Sequence, residues 1–331
     1  MQREAEAFWV RVPGAGEIRR ATVPEPGPGD VLVRTLHSGV SRGTESIVFG
    51  GRVPSSQYDA MRAPFQEGEF PGPVKYGYLN VGVVERGPAN LAGRTVFCLY
   101  PHQTRYVVPA AAVTVVPDGV PPARAVLAGT VETAVNALWD AAPLIGDRVA
   151  VVGAGMVGCC VARLLARFPA CEVTLVDIDP ERAKLARALG VDFADPHEAP
   201  RDQDLVVHAS ATASGLQLAL DLLRTEGTAL DLSWYADTPV SLPLGGAFHS
   251  RRLTIRSSQV GLMSPSRRSS RTTADRLALA LELLHDEAFD EVLAGPTPFA
   301  DLPQLMARLT SPGTPGGCHL ISYDGGAACS A

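Results

Sequence analysis

Three glycines with the spacing GxGxxG, Gly153, Gly155 and Gly158, follow the apolar run at residues 149–152. The run predicts a parallel strand that is covered on both faces. Gly153 permits a tight turn, Gly155 lets the backbone approach a pyrophosphate, and Gly158 lets the next helix pack closely on the strand. That helix, over about 156–167, would direct its N-terminal N–H groups at the phosphates. The motif predicts a dinucleotide site; a core helix with a glycine-tolerant turn is the alternative.

A carboxylate, Asp177, ends the predicted second strand at residues 172–176. At this distance from the glycines it would accept hydrogen bonds from the diol of an adenosine ribose. Asp179 stands two positions later, where it could cap the next helix instead. Because the charge of Asp177 would repel a 2′-phosphate, the sequence favours NAD over NADP.

Further residues beside these groups are expected to line the cofactor. Trp234 and Tyr235 follow the predicted fifth strand and are expected to shape the nicotinamide pocket. The remaining predicted cofactor contacts are Met156, Val157, Ile178, Arg182 and Ser210.

The composition is that of a globular protein with two domains. The chain has 331 residues, of which 46% are hydrophobic and 19% charged, with a formal net charge of −6. This charge provides no general basic field for nucleic acid, so we expect a small-molecule substrate as the partner. We interpret a local cluster of arginines as side chains that solvate a loop and a helix start; binding of an anionic group on the substrate is the minority interpretation. The cluster comprises Arg251, Arg252, Arg267, Arg268 and Arg271.

The cysteines and the N-terminal residues bear on the compartment. None of the six cysteines is spaced CxxC, and three lie in or beside the glycine motif, where small buried thiols are common. A reduced cytoplasmic interior therefore fits better than a disulfide scaffold. The N-terminal residues lack the pattern of a signal peptide, and no apolar run is long enough to span a bilayer, so we expect no membrane association.

Short strands broken by glycine and proline dominate residues 5–116. They predict an antiparallel, barrel-like β domain. Residues 50–73 show no sustained period, and because long irregular segments often cover a site, we interpret this one as covering a cleft.

Helices and buried strands alternate after residue 121. A helix at 123–141 connects the domains, and predicted strands near 149–152, 172–176, 191–194, 204–210, 228–234 and 253–260 give a doubly wound parallel sheet in the order 3-2-1-4-5-6. A helix over 273–285 and a last strand at HLISYD should return to the first domain, whereas the final residues GGAACSA should be frayed. The fold class is α/β, with domains at 1–128 plus 263–331 and at 129–262.

This order of parts, with the motif GAGMVG, resembles the medium-chain dehydrogenase/reductase superfamily over nearly the whole chain. The segments SRGTE, FPGPVKYGYLNVG, YPHQ and LPLGGAFHSRR are most similar to the bacteriochlorophyllide 2-hydroxyethyl dehydrogenase-like subgroup. The resemblance implies a GroES-like catalytic domain, a Rossmann domain, and hydride transfer with a nicotinamide cofactor. It also implies a homodimer, since the superfamily usually pairs through its nucleotide-binding sheet.

The sequence departs from the zinc-dependent members of that superfamily at the three positions that hold catalytic zinc. Those members use a cysteine, a histidine in a Gly-His-Glu segment, and a cysteine or acid before the linking helix. The matching residues here are Ser41, Tyr78 and Gly129, none of which is a good ligand for tetrahedral zinc. The four-cysteine structural zinc lobe is also missing, so we expect no metal.

Without zinc, a carbonyl oxygen still needs a proton donor and a group that stabilises negative charge. Tyr78 replaces the lost histidine, Thr44 and Glu45 lie where the superfamily keeps its proton relay, and His102 follows a proline at a strand end. Glu132 lies one turn beyond Gly129 on the linking helix and could face the cleft.

Each of these candidates also has a structural interpretation. Tyr78 could pack at the domain interface, His102 could be a hydrogen-bonded core histidine, and Thr44 could be only a cap. Glu45 and Glu132 could be solubilising charges, although a glutamate in the apolar context LAGTVETAVNAL favours a site.

Three functions therefore stay open. The first is an NAD(H)-dependent, zinc-independent oxidoreductase that interconverts a secondary alcohol and a ketone on a small or medium-sized metabolite. The second keeps a metal through Glu45, His102 and Glu132, and the third binds NAD without turnover.

Overall fold

A computed structural model describes residues 3–310 and 316–323. The chain divides into two compact units. The β-rich unit consists of Met1–Gly129 together with Leu293–Ala331, and the parallel-sheet unit consists of Thr130–Val292. The final segment for which we expect fraying lies outside the described residues.

Two sheets, almost wholly antiparallel, form the β-rich unit. The four-stranded sheet has the order β2-β1-β5-β4, and the larger sheet has the order β16-β17-β3-β6-β7-β9, with β8 paired to β3. The strands are β1 (Arg3–Val12), β2 (Ala15–Val23), β3 (Asp30–Val40), β4 (Glu67–Gly68), β5 (Val74–Lys75), β6 (Asn80–Arg86), β7 (Thr95–Cys98), β8 (Arg105–Pro109), β9 (Val113–Val115), β16 (Leu293–Pro298) and β17 (Cys318–Ser322).

The centre of the larger sheet is β3, because β17, β6 and β8 all pair with it. Its residues Val31, Leu32 and Val33 are fully buried. They are β-branched or aliphatic, the residue types that pack well on a pleated surface. The predicted return of the C-terminal strand to this unit is confirmed, since His319 of β17 lies opposite Val40 of β3.

Residues 50–73 are mostly irregular, with one 3-10 turn at Ser55–Gln57 and the short strand β4. Phe70 is buried and packs on Tyr58 and Tyr76, with ring centroids 5.5 and 5.7 Å apart. Phe65, by contrast, is 39% exposed. The aromatic residues thus hold part of this segment onto its own unit.

The helices of the β-rich unit are short. The described part contains α1 (Arg42–Phe49), α2 (Pro122–Ala125) and α9 (Leu302–Leu309). A fourth helix, α3 (Ala128–Ala141), contains the unit boundary after Gly129.

Six parallel strands form the sheet of the second unit, in the order β12-β11-β10-β13-β14-β15. In sequence order this is 3-2-1-4-5-6, so the predicted doubly wound sheet is confirmed. The strands are β10 (Arg148–Val152), β11 (Glu172–Val176), β12 (Asp192–Ala194), β13 (Gln203–His208), β14 (Leu223–Asp231) and β15 (Thr254–Ser257). The helices are α4 (Met156–Leu165), α5 (Arg182–Leu189), α6 (Ala213–Leu222), α7 (Ala247–Ser250) and α8 (Thr273–Leu283), together with most of α3.

The second domain boundary lies at Leu293, not at residue 263. Arg163 on α4 forms an ion pair with Asp286, with Nη2 and Oδ2 2.7 Å apart. Phe289 and Val292 are buried as well. Residues 263–292 therefore belong to the parallel-sheet unit, because a long-range ion pair and apolar burial hold them there.

No helix within residues 3–310 and 316–323 combines the length and hydrophobicity that a transmembrane span requires.

Candidate functional site

The glycine turn after β10 has the close packing and the open backbone that its spacing predicts. Gly153 has φ +108°, and a Cβ there would lie 2.8 Å from the backbone N of Ser210. A Cβ on Gly158 would lie 2.0 Å from the carbonyl oxygen of Gly153, so the helix approaches the loop too closely for any side chain. A Cβ on Gly155, by contrast, would meet no atom within 4 Å, which leaves its backbone accessible to a ligand.

Asp177 lies at the carboxyl end of β11, where it supports the glycine loop. Its Oδ2 accepts a hydrogen bond from the Ala154 N–H (2.7 Å), and its Oδ1 accepts one from the Asp179 N–H (2.9 Å). A carboxylate has about four lone-pair sites, so two remain for a ribose diol. The carboxylate acceptors and the loop geometry at this edge therefore fit the adenosine half of a dinucleotide.

The other predicted cofactor contacts lie along the same unit. Met156 begins α4 and is buried, whereas Val157 is half-buried. Ile178 is 83% exposed directly after Asp177, as an apolar side chain that contacts a planar base would be. Arg182 Nε lies 3.4 Å from Asp179 Oδ2. Ser210 is half-buried at the end of β13.

Tyr78 lies in the β-rich unit, just before β6, where its phenol hydrogen bonds with Ser41 and Thr44. Burial and, after it, the charge of Glu45 raise the pKa of Tyr78 to about 12, although those two hydrogen bonds act in the opposite direction. The phenol therefore keeps its proton at neutral pH and can act as a donor.

Glu45, on α1, connects the loop of Ser41 to His102. Its Oε1 accepts a hydrogen bond from the Ser41 N–H (2.7 Å), and its Oε2 lies 2.9 Å from His102 Nε2. The Glu45 and His102 side chains are 3% and 1% exposed. An ionised carboxylate only accepts hydrogen bonds, so His102 donates from Nε2.

Two residues that the sequence did not single out extend this arrangement. His102 Nδ1 lies 2.7 Å from Ser38 Oγ, and Ser38 Oγ lies 2.8 Å from the Tyr323 hydroxyl. In neutral His102, with Nε2 donating to Glu45, Nδ1 accepts from Ser38, which leaves Ser38 to accept from Tyr323. A continuous line of hydrogen bonds thus runs from Tyr323 to Glu45. The sequence signal for this line of hydrogen bonds is weak: Ser38 is a polar residue within the apolar strand β3, and Tyr323 directly follows the apolar strand β17.

The backbone beside His102 requires glycine. Gly77 has φ +133°, a conformation that L side chains rarely adopt, and a Cβ there would lie 3.0 Å from His102 Cδ2. Gly77 therefore lets the chain pass His102 closely and places Tyr78 on the following residue.

Glu132 belongs to the parallel-sheet unit and has a structural partner. Its Oε1 accepts a hydrogen bond from Arg276 Nε (3.0 Å), and both side chains are buried. Arg276 also donates to Asn136 Oδ1 (2.6 Å) and to the Val260 carbonyl (2.7 Å). This ion pair explains a glutamate in an apolar helix, and we do not retain Glu132 as a catalytic candidate.

The positions that match the zinc ligands of the superfamily do not fit a zinc ion. Ser41 and Tyr78 present neutral hydroxyls that bond to each other, and Gly129 presents no side chain. A Cβ at Gly129 would lie 2.6 Å from Leu79 Cδ2, so apolar packing fills the place of the third ligand. Glu45 with His102 gives no substitute set, because both ring nitrogens of His102 already have hydrogen-bonding partners.

Comparison with known proteins links these features to dehydrogenases. Residues 149–231 match the family model of the ketopantoate reductase PanE/ApbA. The chain is 27% identical over 252 residues to 2-desacetyl-2-hydroxyethyl bacteriochlorophyllide A dehydrogenase of Rhodobacter capsulatus, covering 69% of this chain and 73% of that protein. It is 25% identical over 244 residues to L-galactonate-5-dehydrogenase of Escherichia coli, covering 64% of this chain and 71% of that protein.

Solved structures share the whole architecture at low sequence identity. L-idonate 5-dehydrogenase from Escherichia coli superposes with a TM-score of 0.80 at 16% identity, covering 98% of this chain and 99% of that one. Acetophenone reductase from Geotrichum candidum, solved in complex with NAD, gives 0.77 at 17% identity, covering 97% and 98%. These structures establish the fold.

Proposed function

We propose that this chain, a member of the medium-chain dehydrogenase/reductase superfamily by its motifs, its fold and its relatives, is an NAD(H)-dependent oxidoreductase that works without zinc. It interconverts a secondary alcohol and a ketone on a small or medium-sized metabolite. The relatives described above are named as dehydrogenases, which supports the reaction class.

One observation carries the proposal: Tyr78, at the position that the resemblance matches to a zinc-binding histidine, is a phenol that keeps its proton. Tyr78 is held by two hydroxyls, Ser41 and Thr44, next to the Glu45–His102 pair. A neutral hydrogen-bond donor can replace a metal ion at this point, because the developing charge on a substrate oxygen is stabilised by any suitably placed donor.

Residues of the β-rich unit would then donate the proton that the reduction requires and favour its replacement. NADH, when bound, would supply the hydride to the carbonyl carbon. Tyr78 donates its proton to the carbonyl oxygen, since an alkoxide is a stronger base than a phenolate. The hydroxyls of Ser41 and Thr44 stabilise the phenolate that remains, until a proton from solvent restores it. Glu45 favours the return of that proton, because its negative charge raises the pKa of Tyr78.

The residues of the parallel-sheet unit fit a nicotinamide dinucleotide. The accessible backbone at Gly155 would approach the pyrophosphate, and Asp177 would accept hydrogen bonds from the adenosine ribose. We favour NAD over NADP, because a second negative charge at that ribose would face the carboxylate of Asp177.

The decisive experiment follows deuterium from labelled cofactor into product. Ketones would first be screened by the rise in melting temperature that they cause with NADH present. The best ligand would then be incubated with NADH deuterated at C4, and mass spectrometry of the alcohol should find one deuterium on the carbinol carbon. Binding of NADH without transfer to any ketone would support the non-catalytic alternative, and one essential zinc per chain would support the remodelled metal site.

We further propose a homodimer in a reducing compartment such as the cytoplasm. The edge strand β15 is largely exposed and is available to pair with a second copy. The five cysteines within the described residues form no disulfide, as a reducing compartment would maintain. The mass of the native protein by light scattering tests the dimer.

A further inference from the structure

A second buried histidine, His208, lies at the carboxyl end of β13 in the parallel-sheet unit, with no exposed side-chain surface. Its Nδ1 is 2.9 Å from Asp231 Oδ1, and its Nε2 is 2.7 Å from Ser210 Oγ. Asp231 ends β14, the neighbouring parallel strand, in register with His208. The strand order therefore places this serine, histidine and aspartate together at one edge of the sheet.

Asp231 is held as a carboxylate by several donors. It accepts hydrogen bonds from the Ser233 N–H (2.9 Å) and from the Tyr235 hydroxyl (2.9 Å), in addition to His208. Burial tends to raise the pKa of Asp231, but the hydrogen bonds with His208, Ser233 and Tyr235 lower it below its usual value. Because a carboxylate only accepts, His208 must carry a proton on Nδ1.

The directions of the remaining hydrogen bonds follow from the proton on Nδ1. With Nδ1 protonated, Nε2 of neutral His208 is an acceptor, so Ser210 donates its hydroxyl proton to it. Thr212 Oγ1 accepts from the Gly215 N–H (3.0 Å) and lies 3.0 Å from Ser210 Oγ, to which it can donate. Ser210 thus keeps one lone pair and has no proton left for a ligand.

Close packing fixes this geometry. A Cβ on Gly215 would lie 2.1 Å from Ser210 Oγ and 2.8 Å from His208 Nε2. Ser210 also lies beside the glycine turn, since a Cβ on Gly153 would lie 2.8 Å from the Ser210 backbone N. Ser210 follows β13 and Asp177 follows β11, and these two strands flank β10 in the sheet.

We propose that Ser210 accepts a hydrogen bond from a hydroxyl of the nicotinamide ribose, with His208 and Asp231 as positioning residues that keep its lone pair turned to the ligand. This inference rests on the proposed cofactor. If Asp177 binds the adenosine ribose on the β11 side, the other half of the dinucleotide lies on the β13 side of the strand-order reversal. A serine that can only accept selects a ribose hydroxyl there, since a ribose hydroxyl can donate and a phosphate oxygen cannot.

Truncated ligands test the assignment by binding alone. Dissociation constants for NADH, ADP-ribose and ADP would be measured by calorimetry with the unmodified protein and with Ser210→Ala. We expect about tenfold weaker binding of NADH and ADP-ribose, as for the loss of one hydrogen bond, and unchanged binding of ADP, which lacks the second ribose. Gly215→Ala, which displaces the hydroxyl without removing it, should act in the same direction, and the exposed Ser270→Ala is the matched control.

Each other pattern overturns the proposal. Equal weakening of all three ligands would mean that Ser210 only maintains the loop, and weakening of NADH alone would move the contact to the carboxamide. Nitrogen NMR of labelled histidine tests the positioning residues, since His208 should carry its proton on Nδ1; a proton on Nε2 would reverse the polarity of Ser210 and contradict the inference. If the unmodified protein binds none of the three ligands, the proposed function fails, whereas the NMR result still decides the hydrogen-bond directions.

Discussion

Glu45 Oε2 and His102 Nε2 lie 2.9 Å apart with both side chains almost completely buried. Each Glu45 oxygen and each His102 ring nitrogen has a hydrogen-bonding partner, since Glu45 Oε1 accepts from the Ser41 N–H and His102 Nδ1 bonds with Ser38. The pair therefore fixes Ser41 and the start of α1, which hold the Ser41 and Thr44 hydroxyls against Tyr78. The first two predictions concern this arrangement.

Replacing Tyr78 with phenylalanine should lower turnover by roughly 10²–10⁴-fold, because positioned acid catalysis contributes about that much. NADH affinity should change little, since the phenol lies in the β-rich unit. Steady-state kinetics on the identified substrate, with NADH binding by fluorescence, give both values. Tyr76→Phe is the matched control, as it removes a neighbouring buried phenol that bonds only weakly, at 3.4 Å, with the Met61 carbonyl. Full turnover in Tyr78→Phe would show that Tyr78 only packs.

Replacing Glu45 with glutamine should lower the pKa of Tyr78 below about 12, because the negative charge of Glu45 helps to raise it. Tyrosine labelled with ¹³C at Cζ reports phenol ionisation by NMR, and Tyr78 should titrate at lower pH in the variant. The free energy of unfolding should also fall by about 2 kcal/mol, as for the loss of a charge-assisted hydrogen bond. An unchanged titration would mean that the charge of Glu45 does not reach the phenol.

Replacing Asp177 with alanine should narrow the preference for NAD over NADP. The change removes a ribose acceptor, whose charge-assisted hydrogen bonds contribute about 1.5–3 kcal/mol, and also removes the repulsion of a 2′-phosphate. Titration of both cofactors into both proteins measures the change, with Asp179→Ala as the control from the same loop. Equal affinities for NAD and NADP in the unmodified protein would contradict this prediction.

Metal analysis should find well under one zinc per chain in the purified protein. A chelator should leave NADH binding and turnover intact, because Ser41, Tyr78 and Gly129 do not supply a tetrahedral set of nitrogen and sulfur ligands. Elemental analysis before and after dialysis against the chelator is the measurement. Zinc at one per chain that is lost together with turnover would instead indicate a remodelled site.

Replacing Arg276 with methionine should destabilise the parallel-sheet unit more at pH 8 than at pH 5. Burial raises the pKa of Glu132 above its usual 4.5, with Arg276 opposing the shift. The folded state thus binds the proton more tightly than the unfolded state, and stability falls as pH rises through this window. Without Arg276 the pKa of Glu132 in the folded state should rise further above its value in the unfolded state. The free energy of unfolding at pH 8 should therefore fall by about 3–5 kcal/mol.

Denaturant unfolding at both pH values measures this effect. The double variant Glu132→Gln with Arg276→Met should lose the pH-dependent part of the destabilisation, since no carboxyl group remains to titrate. The same loss at pH 5 and pH 8 in Arg276→Met would refute the electrostatic explanation.

Local sequence patterns predicted the parallel sheet well, because each strand and helix carries its own hydrophobic period. The run at residues 149–152 and the glycine spacing identified β10 and its turn, and the order of the six strands followed. The second unit boundary could not be found in this way. It depends on the ion pair between Arg163 and Asp286, two residues 123 positions apart in the sequence.

The candidate site shows the same limit. Tyr78, Thr44, Glu45 and His102 were identifiable from their residue types and from the resemblance to a superfamily. Tyr323 was not, because its contact with Ser38 spans 285 positions and only the pairing of β17 with β3 creates it. Glu132 looked catalytic for a related reason, since its partner Arg276 is 144 positions away.

The β-rich unit is discontinuous in sequence, and this affects how the protein is made. During translation residues 37–40 of β3 must wait for β17, because β8 pairs only with residues 30–34 on that edge, and the whole parallel-sheet unit is synthesised in between. At the usual speed of synthesis, about 5–20 residues per second, synthesis of that unit takes roughly eight to thirty seconds. Nascent chains that carry residues 1–292 therefore expose this edge of β3, and Ser38 on it still lacks its hydrogen bond with Tyr323.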